Sequence, residues 1–178
     1  MSRLHTIPAA QATGAAATLF AAIKGKIGMV PNAYAVIGNN SPLALEAALA
    51  LDGALAKSSL SAREIEVVKL VVSEGAACDY CLAAHTLIGK KAGLSKAAIL
   101  ALRHGTPSAD ERADALATFV REVGASKGTV AAPVLAAVKS AGYTDAQVVD
   151  ALLVIASITF TNLVNRVNDT ALDFPAAD

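Results

Sequence analysis

The chain has 178 residues, of which 54% are hydrophobic, 17% charged and 4% aromatic, with 15 basic side chains against 15 acidic ones. The length suits a single domain, expected to cover residues 1–178, and balanced charge with few aromatics excludes a nucleic-acid partner. An apolar, alanine-rich composition points to an all-α domain that buries further surface in an oligomer.

Arg3 is followed by Pro8, Gln11 and Thr13, which interrupt the apolar residues, so no signal peptide is expected. No apolar segment reads as long and unbroken enough to cross a bilayer. The expected location is cytoplasmic, where two cysteines argue for redox or metal chemistry rather than a structural disulfide.

Residues 9–24 read as a first helix with Leu19, Phe20 and Ile23 on one face, ended by Gly25, Gly28 and Pro31. An apolar loop at residues 29–32 leads to a short helix at 33–37, and residues 38–42 form a second breaker cluster. Ser41 caps the next helix, with Pro42 at its first position, and that helix runs to about Lys57. Ser61-Ala62-Arg63-Glu64 is a capping box. The helix behind it carries Ile65, Val68, Leu70, Val71 and Val72, broken only by Glu66, Lys69 and Glu74, so it is buried on several sides. Gly75-Ala76-Ala77 loosens the chain before a helix that holds both cysteines and ends near residues 89–93. Ser95 caps a short helix to about Arg103. Ser108 with Glu111 reads as a second capping box, opening a helix to about Val123 before a flexible joint at residues 124–128. Pro133 starts a helix that ends at Gly142. Thr144 with Gln147 is a third box, and its long helix extends toward Val167. From about Leu172 the tail is expected to be poorly ordered.

Both cysteines lie in Cys78-Asp79-Tyr80-Cys81-Leu82-Ala83-Ala84-His85. Thiols three residues apart can close a small disulfide ring, and a histidine four residues after the second shares its helix face. Glu66, 12 residues before Cys78, sits on an apolar helix and needs a partner. A helix hairpin would bring it to His85, directly or through a water, giving a thiol–His–Glu relay. The competing reading places Glu66 in a polar stripe with Lys69. Tyr80 is a candidate pocket residue that also fits simple packing. Asp79 suits the helix N-terminus, while Glu74 and His104 read as surface residues. A zinc site lacks a fourth ligand, because His5 and His104 have no supporting spacing, and haem attachment needs a histidine where Leu82 stands. The order of attack is open: a helix N-terminus favours Cys78, whereas the His85 spacing favours Cys81. The separations among Glu66, Cys78, Cys81 and His85 recur among Asp150, Asn162, Asn165 and Asp169, which suggests an internal helix-pair duplication.

Glu66, Cys78, Cys81 and His85 together resemble the active-site pattern of the alkylhydroperoxidase D branch of the carboxymuconolactone decarboxylase superfamily. The specific stretch is residues 62–93, and Gly28-Met29-Val30-Pro31-Asn32 with Ser41-Pro42 resembles its peroxidase-related members. The resemblance implies an all-α bundle, a homo-oligomer (trimer or hexamer), and hydroperoxide reduction without metal, haem or flavin. It implies Cys81 as the attacking thiol, Cys78 as the resolving one, and His85 with Glu66 as the proton relay. It further implies an external dithiol reductant, lipoyl- or thioredoxin-like. Two positions depart from the pattern: Tyr80 stands where a second histidine occurs, and Ala76 offers no side-chain hydrogen bond. The alternatives are a redox-sensing or interaction module without turnover and a cofactor-free lactone decarboxylase.

Overall fold

The structure, a computed structural model, describes residues 2–177. A 3-10 turn, Ala9–Gln11, precedes nine α-helices, and no strand occurs among the described residues. The first helices are α1 (Gly14–Ile27), α2 (Asn32–Asn40) and α3 (Pro42–Leu55). Phe20, Ile23, Ile37 and Leu45 join them in a small apolar cluster. Next come α4 (Ala62–Gly75), α5 (Asp79–Lys91), α6 (Lys96–His104), α7 (Glu111–Ser126), α8 (Ala132–Ser140) and α9 (Asp145–Asn168).

The hub is α4, which packs on α5, α6, α7 and α9. Its sequence is apolar nearly all round for that reason: Val67, Val68, Leu70 and Val71 are all buried, in one core with Leu102, Leu116, Phe119, Val120 and Val154. The capping boxes at Ser61/Glu64 and Thr144/Gln147 both form, as does the Ser41 cap with Pro42 in the first turn.

Several boundaries differ from expectation. The first helix begins at Gly14, and it runs through Gly25 to a left-handed Gly28 cap. The breaker residues Gly38, Asn39 and Asn40 are helical, because Asn39 and Asn40 donate to the carbonyls of Ile7 and His5. Gly38 also admits the Phe20 ring, which a Cβ there would meet at 2.5 Å. The cap of α7 is Asp110, whose Oδ1 accepts from Ala113 N, and not Ser108, whose N–H donates to Asp114. Packing of α7 carries the helix past Gly124 to Ser126. The spacing echo falls on one continuous helix and its cap: Asp150, Asn162 and Asn165 belong to α9 and Asp169 ends it, so they form no second helix pair.

At 24 residues, with a mean hydropathy of 1.7 over its best 18-residue window, α9 is long and apolar enough to cross a bilayer by length and composition alone, which corrects the expectation that no segment is. Here its row of Ala151, Val154 and Ile158 is buried against the bundle.

Candidate active site

The turn between α4 and α5 sets the site. Ala77 N–H bonds the Glu74 carbonyl, and Cys78 N–H reaches back to the Ser73 carbonyl at 3.0 Å. This is the Schellman pattern, in which the residue after the cap is left-handed and is usually glycine. Here it is Ala77, at φ 49°. From α9, Arg166 Nη1 donates to the carbonyls of Ala76 and Ala77, both at 2.6 Å, and pins the turn.

Cys78 emerges as the N-cap of α5, and its sulfur accepts from the Cys81 N–H at 3.4 Å. The two sulfurs lie 2.8 Å apart as free thiols, 2% and 3% exposed. The hydrogen bond between them holds Cys78 below the ordinary thiol value, helped by the Cys81 N–H and the Arg166 charge against the opposing effect of burial. The same bond pushes Cys81 up, reinforced by burial and the charge on Cys78, with Asn165 and Thr161 acting in the other direction. The first negative charge in the pair therefore belongs on Cys78.

Glu66 and His85 meet as the hairpin requires, with Oε2 to Nδ1 at 2.8 Å. Lys69 pairs with Asp52 instead, at 3.8 Å. No hydrogen bond joins His85 to either sulfur among the described residues, so any proton path from thiol to imidazole runs through a bridging molecule. Glu66 also lines a cleft of about 270 Å³ with Asp52, Lys69, Ile65 and Ile88, whose walls include neither His85 nor either cysteine.

Tyr80 is buried, and its hydroxyl accepts from the Ala33 N–H in the first turn of α2 at 3.2 Å. Its ring meets Phe174 edge-on at 5.7 Å, under a tail that Asp173 ties to Asn32 N. Burial pushes the Tyr80 phenol above its ordinary value. Asp79 is exposed in the first turn of α5. Glu74, read as a surface residue, accepts from Arg103 Nε at 2.6 Å.

Sequence reading singled out no site residue on α9. Asn165 Nδ2 donates to the Cys81 sulfur at 3.3 Å, and Asn162 Oδ1 accepts from Ser73 Oγ at 3.2 Å. The available signal was polarity on the inner face of an otherwise apolar helix.

Residues 42–122 match the carboxymuconolactone decarboxylase family. No curated protein matches the chain by sequence. Among solved structures, a peroxidase-related protein with an alkylhydroperoxidase AhpD core from Ralstonia eutropha JMP134 superposes with a TM-score of 0.83 at 20% identity, covering 97% of this chain and 92% of that one. A peroxidase-related protein from Silicibacter sp. TM1040 gives 0.78 at 22% identity, covering 96% and 91%. The debrominase Bmp8, in complex with 2,3,4-tribromopyrrole, gives 0.73 at 16% identity, covering 88% and 84%. The fold thus hosts a peroxidase-related group and a debrominase.

Proposed function

We propose that this protein of the carboxymuconolactone decarboxylase superfamily, alkylhydroperoxidase D-like in fold, is a cytoplasmic thiol-dependent peroxidase. One observation carries the reading: a single helix hairpin sets two thiols 2.8 Å apart beside a His85–Glu66 pair at 2.8 Å. The dithiol supplies the two electrons that a hydroperoxide needs. Cys81 attacks the terminal peroxide oxygen, an S–O bond forms as O–O breaks, and the thiol proton reaches the departing alkoxide by way of a water and His85. Cys78, the sulfur that holds negative charge more readily, then attacks the sulfenic sulfur. The disulfide forms, and the displaced hydroxide takes a proton to become water. An external dithiol, lipoyl- or thioredoxin-like, returns the pair to thiols.

The lowered Cys78 also favours a second order, with Cys78 attacking and Cys81 resolving. A sulfenic-acid probe on Cys78→Ser and Cys81→Ser after peroxide separates the two. Label confined to Cys78→Ser supports Cys81 as the attacker, and label confined to Cys81→Ser reverses the order.

The function itself is tested by steady-state consumption of several hydroperoxides with dihydrolipoamide and thioredoxin in turn. Sustained turnover with one donor is expected. Oxidation of both cysteines with no turnover would replace the peroxidase by a redox sensor. Bromide release from a brominated pyrrole outpacing peroxide turnover would move the chemistry to dehalogenation. The same reading includes a homo-oligomer, trimer or hexamer, supported by Leu43, Val149, Leu163 and Val167, which are between 59% and 76% exposed. Light scattering checks the mass.

A further inference from the structure

Two amides on α9 carry buried polar atoms that the fold leaves unpaired beside the dithiol. Asn162 and Asn165 are 2% and 4% exposed, one turn apart, on the face turned to the α4–α5 hairpin. Asn162 Oδ1 accepts from Ser73 Oγ, and the Ser73 carbonyl holds the Cys78 N–H. Asn165 Nδ2 donates to Cys81 Sγ. These bonds leave Asn162 Nδ2 and Asn165 Oδ1 without partners. Reversing both amides would exchange which one donates and still leave one donor and one acceptor. Five other buried side-chain atoms among the described residues also lack a partner, but only these two, a donor and an acceptor, sit together one turn apart on a helix face that meets a cysteine sulfur.

We propose that Asn162 and Asn165 form an oxygen-binding cradle for a hydroperoxide at Cys81, an inference that rests on the peroxidase reading above. A hydroperoxide offers one O–H donor and an inner oxygen acceptor, the complement of the two unpaired atoms. Its terminal O–H donates to Asn165 Oδ1, and its inner oxygen accepts from Asn162 Nδ2. As the Cys81 sulfur bonds to the terminal oxygen, O–O breaks and the inner oxygen leaves as an alkoxide held by Asn162. The alkoxide takes the thiol proton and becomes the alcohol, while the sulfenic O–H stays on Asn165. The substrate class is therefore the monosubstituted hydroperoxide; a dialkyl peroxide has no O–H for Asn165.

The test compares two second-order rates on the fully reduced protein at one pH: oxidation by tert-butyl hydroperoxide and alkylation by iodoacetamide. Asn162→Leu keeps the volume and removes the donor. It is expected to slow oxidation roughly 10²-fold, the scale of losing one preorganised donor, with alkylation unchanged. Asn162→Ala provides a second variant should the leucine not fit. Asn165→Ala is expected to slow oxidation and, in a Cys78→Ser background where alkylation reports Cys81 alone, to move the pH profile of alkylation upward, since the donor on that sulfur is gone. A folded Asn162 variant that reacts with peroxide at the wild-type rate, or loses both rates in parallel, overturns the cradle. A wild-type protein that alkylates normally yet keeps its thiols reduced in peroxide overturns the peroxidase reading itself.

Discussion

Replacing Glu66 with Gln and with Ala separates charge from hydrogen bonding in the relay. Glu66 meets His85 at 2.8 Å with side chains 6% and 12% exposed, so little water can replace a lost partner. A hydrogen bond to a charged group contributes roughly 1.5–3 kcal/mol, against about 1 kcal/mol for a neutral one. Glu66→Gln keeps an acceptor in place and loses only the difference, about 1 kcal/mol, or roughly fivefold in rate if the loss falls on the transition state. Glu66→Ala removes the whole bond and leaves Nδ1 buried alone, about 2–3 kcal/mol, or roughly 30- to 150-fold. The assay is peroxide consumption with saturating dithiol donor, beside a thermal melt to confirm folding. The expected order is wild type, then Gln, then Ala, with the loss in the oxidation step. Folded variants that both match wild type would refute the relay. A Gln variant as slow as Ala would refute the division between charge and bond.

The remaining predictions concern the thiols and the packing that holds them. Iodoacetamide alkylation of Cys78 is expected to rise with pH below the ordinary thiol value, and Cys81→Ala to move that rise upward; no upward movement would remove the sulfur–sulfur bond as its cause. With its folded value depressed, Cys78 contributes stability above the unfolded thiol pKa and loses it as pH falls through the folded one, while Cys81 acts in the opposite sense. Ala77→Gly relieves φ 49° at the Schellman position and should stabilise by about 0.5–1 kcal/mol in urea unfolding; a loss of stability would contradict the strain. Gly38→Ala places a Cβ 2.7 Å from Phe20 Cζ and 2.8 Å from Leu45 Cδ2. It should destabilise by about 1–3 kcal/mol in the same measurement, and a neutral result would show that the ring moves aside freely.

Legibility in the sequence followed the range of the interaction. The caps at Ser41, Ser61 and Thr144 are bonds between residues three apart, so their residue types announce them. The extension of α2 was hidden because Asn39 and Asn40 lose their breaker character only through carbonyls in the N-terminal segment, more than thirty positions away. Asp110 displaced Ser108 as a cap because Ser108 N–H engages Asp114 of α7. In each case a long-range or competing partner decided between two locally acceptable conformations. The sequence left Glu66 between His85 and a polar stripe with Lys69, because both partners lie within reach of an apolar helix; the hairpin packing gives it to His85, while Lys69 pairs with Asp52.

The motif from Glu66 to His85 accounts for only half of the site. It places two sulfurs and a Glu66–His85 pair on one hairpin, but the turn that presents Cys78 is pinned by Arg166, and the Cys81 sulfur receives Asn165. Both come from α9, more than eighty residues downstream, where the local signal is only polarity on the inner face of an apolar helix. Asn162 and Asn165 stood out in the sequence only as repeats of the cysteine spacing; in the fold Asn162 bonds Ser73 and Asn165 bonds the Cys81 sulfur from across the core. On the peroxidase reading proposed above, the hairpin's two thiols supply the pair of electrons. The sulfur–sulfur bond sets which sulfur carries charge, and the helix laid across the hairpin adds the Arg166 charge near Cys78 and the Asn165 donor on Cys81, so the surroundings of each thiol are written in α9 as well as in the motif.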